Sequence, residues 1–131
     1  MIYGLYAPEE NIIRYVGRSD VVSHRYSQHL KTNSGFLKPW FDRFNGKIKM
    51  RLLPYFITEN EAILYFDDYE DAPLLNDRKG STDIEMARPL RYILEQEAVI
   101  EEIYQKHLSQ IKPTKLWFFD LLSDEEKRPY L

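Results

Sequence analysis

One stretch limits the fold of this chain more than any other: a short strand that runs directly into a helix. The strand ends at Tyr15-Val16-Gly17, and Asp20 is a residue type favoured at helix N-termini, so a helix is predicted from Asp20 to about Lys31. Residues 2–6 and 12–17 are both typical of strands, and a segment rich in turn-forming residues separates them. We therefore expect a hairpin with a helix packed on it.

The predicted helix carries two side chains suited to phosphate chemistry. Arg25 and His29 are four residues apart, so they share one helix face. Arginine holds a phosphate with a planar fork of donors, and histidine titrates close to neutral pH and can carry a proton. Together with Tyr15 at the end of the strand, these side chains predict a site for phosphodiester chemistry.

The rest of the chain predicts a small α+β domain. A second helix is expected over residues 39–44, and Asn45-Gly46 is expected to end it in the left-handed conformation. The alternation of polar and apolar residues over 47–52 predicts a third strand. Thr58 and Glu61 form a capping-box pattern that opens a helix to about residue 69. The expected fold is a three-stranded antiparallel sheet flanked by helices, with a C-terminal helical extension.

The C-terminal part, residues 81–131, is predicted to be that extension, packed on a core formed by residues 1–80. Residues 81–83 are suited to capping a helix, Pro89 is expected to break or restart it, and an amphipathic pattern continues over 90–111. Beyond Pro113, the apolar residues 116–122 are expected to fold back on the core, and residues 123–126 to form a last capped turn.

Composition excludes several classes of protein. The chain has 131 residues, enough for one domain, and no cysteine, which excludes disulfides and thiolate metal sites. No apolar run is long enough to span a membrane, and no basic leader precedes the first strand. A cytoplasmic protein without membrane partners is the expectation.

Charge is distributed unevenly along the chain. Residues 14–51 hold nine lysines and arginines against two acids, a net charge of +7, whereas residues 52–131 hold nine against seventeen, a net charge of −8. The basic block predicts a local nucleic-acid face, although the same charges could simply solvate two amphipathic helices. The candidate nucleic-acid-binding residues are Arg18, Ser19, Lys31, Lys38 and Arg43.

Four motif positions, taken together, resemble the GIY-YIG nuclease family. Met1-Ile2-Tyr3 stands where that family has Gly-Ile-Tyr, and Tyr15-Val16-Gly17 matches the second half of its signature. Arg25 follows Tyr15 by ten positions, and the Leu74-Leu75-Asn76 segment is similar to the closing Leu-x-Asn of the family. The resemblance covers roughly residues 1–80.

The resemblance implies a metal-dependent endonuclease that hydrolyses phosphodiester bonds in DNA, with RNA as the less favoured alternative substrate. Tyr3 or Tyr15 would position and deprotonate an attacking water, and Arg25 would stabilise charge on the phosphate. His29 would assist proton transfer or hold a tyrosine or the phosphate, and Asn76 would orient the active-site loop. Small free-standing members of the family often come from phages, and double-strand cleavage by a one-site fold would favour a homodimer.

The metal ligand is the point at which the sequence departs from the family. The resemblance implies Mg²⁺, or Mn²⁺, held by a glutamate, but Phe66 occupies the expected position. Asp67 and Asp68 are the candidate replacements, because Glu61 is explained by the capping box. A second departure is Met1 in place of the first glycine.

Two alternatives follow from that departure. A catalytically inactive relative would bind nucleic acid or inhibit a protein partner, for example a host defence nuclease. The third reading is a plain α+β interaction domain whose motif matches are accidental.

Overall fold

The computed structural model describes residues 1–31, 35–67, 73–76 and 78–111. Three strands and four helices lie in these ranges: β1 (Ile2–Tyr6), β2 (Ile13–Arg18), α1 (Val22–Leu30), α2 (Lys38–Arg43), β3 (Lys49–Leu52), α3 (Glu59–Asp67) and α4 (Leu90–Gln110). None of the helices in these ranges is long and apolar enough to cross a membrane.

The sheet has the strand order β2-β1-β3, and both pairings are antiparallel. The central strand β1 places Tyr3 opposite Gly17 on one side and opposite Leu52 on the other. This arrangement confirms the predicted fold class, an α+β protein with a three-stranded antiparallel sheet flanked by helices and a C-terminal helix.

Side chains alternate along β1, so each face of the sheet has its own apolar cluster. Tyr3 and Leu5 belong to the larger cluster, which joins the sheet to α1, α2 and α4. Ile2 belongs to the smaller cluster on the opposite face, where Ala62 and Phe66 of α3 are buried. The helices α1 and α3 therefore pack on opposite faces of the sheet.

The C-terminal helix α4 packs against α1 and β3. Ile100 and Tyr104 are its buried residues, and both belong to the larger cluster. Lys49 of β3 forms an ion pair with Glu101 of α4 at 2.9 Å. The helix α4 thus shares the apolar core of the sheet.

Two predicted helix starts are wrong. Asp20 does not cap α1: the helix begins at Val22, its N-cap residue is Val21, and the Ser19 hydroxyl accepts the Val21 N–H at 3.2 Å. Residues 81–83 do not open a helix either, because residues 81–89 are not helical and α4 begins directly after Pro89. Backbone pairing holds this segment instead, since the Glu85 N–H donates to the Ile57 carbonyl at 2.7 Å.

Other local predictions are confirmed. Asn45 and Gly46 have φ values of 53° and 74°, so they end α2 in the left-handed region. The Thr58 hydroxyl accepts the Glu61 N–H at 3.0 Å, which is one half of the predicted capping box. The predictions for residues 116–122 and 123–126 lie outside the described residues.

Candidate functional site

Three predicted site residues form a compact cluster on one face of the sheet. The Tyr3 hydroxyl and Nε2 of His29 are 2.8 Å apart and hydrogen-bonded. The Tyr15 ring lies 5.4 Å from the His29 ring and 6.4 Å from the Tyr3 ring, and the Tyr15 hydroxyl helps to raise the pKa of Tyr3. We name Tyr3, Tyr15 and His29 the tyrosine–histidine cluster.

Gly17 makes room for this cluster. Because β1 pairs with β2, Gly17 lies directly opposite Tyr3. A Cβ atom added at Gly17 would lie 2.5 Å from Cζ of Tyr3, which is far inside normal contact. Only glycine at this position lets the Tyr3 ring lie across β2 and reach His29 on α1.

Burial keeps the side chains of Tyr3 and His29 neutral. Tyr3 is 1% exposed, and this burial, together with the nearby Tyr15 hydroxyl, raises the pKa of Tyr3 far above its ordinary value. Burial, and then the charge of Arg25, lowers the pKa of His29 to about 4. At neutral pH the cluster is therefore a protonated tyrosine beside an uncharged imidazole, which can accept a proton.

An open cleft of about 500 Å³ lies beside the cluster, and we name it the Arg25–Glu59 cleft. Arg25 and Glu59 both influence the pKa of Tyr3, the first lowering it and the second raising it, so the two charges lie within electrostatic reach of the cluster. The residues that line the cleft are Arg18, Ser19, Asp20, Val21, His24, Arg25, Gln28, Glu59 and Ser81.

Arg25 and Glu59 are positioned differently within the cleft. Arg25 is exposed, and it forms no ion pair with any residue in the described ranges. Glu59 lies in the first turn of α3, and its Oε1 accepts the Ser81 N–H at 2.9 Å. The arginine is therefore open to a ligand, whereas the carboxylate is held in place by the segment that follows α3.

The sequence patterns single out neither carboxylate of the cleft: they assign Asp20 only to a helix N-terminus, and they do not mark Glu59. The capping-box pattern drew attention to Glu61, whose side chain is exposed on the same helical turn. Helical spacing is the pattern that could have identified Glu59. Glu59, Ala62 and Phe66 recur at intervals of three and four residues, so they share one face of the helix. Ala62 and Phe66 are buried against the sheet, so a residue one turn earlier on that face lies at the end of the sheet.

The cleft has a donor set that fits a hard divalent cation. Asp20 and Glu59 contribute two carboxylates to its lining. Mg²⁺ is commonly bound through one or two carboxylates together with substrate phosphates and water. No group of three or more histidine, aspartate or glutamate side chains arranged to hold a metal occurs in the part of the chain that the structure describes.

One of the two aspartates predicted as metal ligands, Asp67, does not line this cleft. Asp67 is exposed and lines a second cleft, and Asp68 lies outside the described residues. Phe66 does not fill the Arg25–Glu59 cleft, because its ring is buried in the smaller apolar cluster at 8% exposure.

Asn76 holds the backbone of β2 beside the cluster. Its Oδ1 accepts the Val16 N–H at 2.9 Å, and its Nδ2 donates to the Val16 carbonyl at 2.7 Å. The Leu75 N–H also donates to the Arg14 carbonyl at 2.6 Å. The side chain therefore pairs with β2 as a neighbouring strand would, between Tyr15 and Gly17.

The candidate nucleic-acid-binding residues are spread over the surface. Arg18 and Ser19 line the cleft, but the guanidinium of Arg18 is paired with the carboxylates of Glu85 and Asp83. The other three lie elsewhere: Lys38 pairs with Asp42 at 2.8 Å, Arg43 stacks over Phe44 at 5.3 Å, and Lys31 lines a groove between α1 and α4. These five residues do not form one continuous basic face.

Comparisons of the chain with protein-family models, with curated proteins and with solved structures gave no match.

Proposed function

We propose that this protein is a metal-dependent endonuclease that hydrolyses phosphodiester bonds in DNA, as its resemblance to the GIY-YIG nucleases implies. The observation that carries the proposal is the position of Arg25 and Glu59. They line one open cleft, and both act electrostatically on the tyrosine–histidine cluster. Phosphate binding, cation binding and proton transfer would then meet at one point.

Arg25 binds the scissile phosphate in this proposal. Its guanidinium is exposed in the cleft, and arginine forms paired, charge-assisted hydrogen bonds to phosphate oxygens. The same positive charge stabilises the charge that develops on the phosphate in the transition state.

The tyrosine–histidine cluster handles the proton of the attacking water. Tyr15 is partly exposed while Tyr3 is buried, so Tyr15 is the tyrosine that meets the water. The proton then passes by way of the neighbouring Tyr3 hydroxyl, which is hydrogen-bonded to His29. Because the charge of Arg25 is one cause of the low pKa of His29, phosphate bound at Arg25 raises that pKa and makes the imidazole a better base.

Glu59, with Asp20, would hold the divalent cation. Mg²⁺ or Mn²⁺, when bound, supplies positive charge at the phosphate and leaving oxygens. Ser81 fixes Oε1 of Glu59, which orients the carboxylate before any ligand arrives.

A non-catalytic binder is the second candidate. The observation that favours it is Phe66, which stands at the position expected for the metal glutamate and is buried in the apolar core. Such a protein would use Arg25 and its neighbours to bind DNA, or to bind a protein partner, without cutting anything.

Plasmid cleavage distinguishes the two candidates. We expect the purified protein to nick supercoiled plasmid in Mg²⁺ or Mn²⁺ and to leave it intact in EDTA. A single-stranded oligonucleotide and an RNA of the same sequence, tested in parallel, define the substrate. Failure to cut any of these substrates with either metal, while DNA is still retained in a binding assay, would overturn the nuclease in favour of the binder.

A further inference from the structure

A second cleft is lined by residues of α3 and by later residues that include Leu74, Arg78 and Lys79. It has a volume of about 520 Å³, and Asn60 lines it, whereas the preceding residue, Glu59, lines the first. Glu59 and Asn60 are consecutive in α3, and Ser81 is hydrogen-bonded to both, so the linings of the two clefts are connected at this end of the helix. We name the second cleft the Arg78–Lys79 cleft after the two basic residues in its lining.

Arg78 and Lys79 differ in their ion pairing from most of the lysines and arginines in residues 14–51. Arg78 and Lys79 are exposed, and neither forms an ion pair with a residue in ranges 1–31, 35–67, 73–76 or 78–111. Arg14, Lys38 and Lys49, in contrast, are each paired with an acidic side chain. Among the described residues, one acid lines the Arg78–Lys79 cleft, Asp67, against the two basic residues.

The backbone on either side of the two cations is firmly held. On one side Asn76 is bonded twice to Val16 of β2. On the other, Ser81 accepts the Asn60 N–H at 3.0 Å and donates its own N–H to Glu59. Gly80 packs so closely that an added Cβ would lie 2.7 Å from the Asn60 nitrogen. The chain that carries the two cations is therefore anchored at Asn76 and at Gly80–Ser81, near the proposed catalytic cleft.

The remaining lining suits the rest of a nucleotide. Ile63, Leu64 and Leu74 give the cleft an apolar wall, against which a base or a sugar can pack. The side chain of Asn60 forms no hydrogen bond among those identified in the described residues, and an amide can pair with the edge of a base. The cations can contact the phosphate of a nucleotide, the apolar wall its base or sugar, and the amide the edge of its base.

We propose that the Arg78–Lys79 cleft binds the nucleotide next to the scissile phosphodiester on the same DNA strand, with Arg78 and Lys79 on its phosphate groups. The inference rests on the proposed function for the location of the scissile bond, which lies in the Arg25–Glu59 cleft. A strand that crosses the first turns of α3 passes from one cleft to the other, so the two sites would set the direction in which the DNA lies.

Salt-dependent DNA binding tests this proposal without requiring cleavage. The probe is a fluorescently labelled single-stranded 20-nucleotide DNA, titrated in EDTA at several salt concentrations. Neutralising two phosphate contacts removes about 1.4 from the slope of log K against log salt for a single strand. We expect Arg78→Ala/Lys79→Ala to lose about this much slope and to bind at least tenfold more weakly at low salt.

The matched control is Arg88→Ala/Arg91→Ala, which removes the same charge from two exposed arginines that lie outside both clefts. It should keep the slope of the wild type. Equal slopes for wild type and Arg78→Ala/Lys79→Ala, an equal loss in the control, or no DNA binding by the wild type would overturn the proposal. Failure of the wild type to cut DNA in Mg²⁺ contradicts only the nuclease, because the slope in EDTA still decides the role of this cleft.

Discussion

The two halves of the candidate site, the tyrosine–histidine cluster and the Arg25–Glu59 cleft, differ in burial and in charge. Tyr3 is almost fully buried, and His29 is shielded enough to lower its pKa to about 4, so the cluster is neutral. The cleft is open, with Arg25 exposed at its edge. Yet Arg25 and His29 stand one turn apart on the same helix, α1. One helix therefore presents a charge to solvent and a neutral base to the interior.

This difference indicates how each half responds to substitution. Changes in the cluster alter buried hydrogen bonds and are expected to cost stability as well as activity. Changes in the cleft remove solvated charges and are expected to leave the fold intact while activity falls. Each of the following predictions tests that division.

The largest expected effect is on the cleft side. Arg25→Ala should lower the rate of DNA cleavage about 10²- to 10³-fold, because a preorganised positive donor to the transition state is lost. The midpoint of thermal unfolding should stay close to that of the wild type, since Arg25 is exposed and has no ion pair in the described ranges. Arg51→Ala, which removes an exposed arginine stacked on Tyr6, is the control. A similar loss of cleavage in both variants would contradict a specific role for Arg25.

An intermediate effect is expected from a matched pair of buried tyrosines. Tyr3→Phe should lower the free energy of unfolding by about 1–3 kcal/mol, because Nε2 of His29 loses its buried partner, and it should also slow cleavage. Tyr26→Phe leaves the Ile48 carbonyl without its 2.6 Å partner and should cost a similar amount of stability. Chemical denaturation and plasmid nicking, measured on both, separate the roles. Cleavage that falls equally in both variants, after allowance for the unfolded fraction, would show that Tyr3 is only structural.

The effect expected to be smallest at neutral pH comes from the titration of His29, because it develops only as the pH falls. The pKa of His29 is about 4 in the folded state and about 6.5 in the unfolded chain, so between these values the unfolded state binds more protons. Stability from this group is complete above pH 6.5 and is lost as the pH falls towards 4, at up to about 1.4 kcal/mol per pH unit. Urea unfolding of wild type and His29→Gln from pH 7.5 to 4 measures the difference. Parallel pH dependence in the two proteins would contradict a buried, neutral His29.

Much of the fold follows from local patterns in the sequence. Alternation along β1 and β2, the left-handed stop at Asn45-Gly46 and the restart after Pro89 each depend on residues close together in the chain. The wrong helix start at Asp20 has a local cause too, because Ser19 bonds to the Val21 N–H and the chain turns once more before α1 begins.

The candidate site was predictable only in part, for a physical reason. Tyr3, Tyr15 and His29 come from β1, β2 and α1, whose order and spacing are recognisable in the sequence. Glu59 reaches the cleft only because α3 packs on the opposite face of the sheet and because Ser81, from a later segment, holds its carboxylate. Such long-range placement has no short sequence pattern. The capping-box pattern also accounts for Glu61 as a helix-capping residue, and it gives no indication that Glu59, two residues earlier, lines the cleft.

In the proposed function, the carboxylate of Glu59 is the group on which metal binding in this cleft most depends, and two glutamates in the same helical turn allow a matched test. Glu59→Gln and Glu61→Gln each remove one negative charge from the first turn of α3, but only Glu59 lines the cleft. The measurement is the initial rate of plasmid nicking against Mg²⁺ concentration for both variants and the wild type. We expect Glu59→Gln to lose nicking at every concentration or to require far more metal, and Glu61→Gln to follow the wild-type curve. Wild-type nicking and metal dependence in Glu59→Gln would contradict the proposed site.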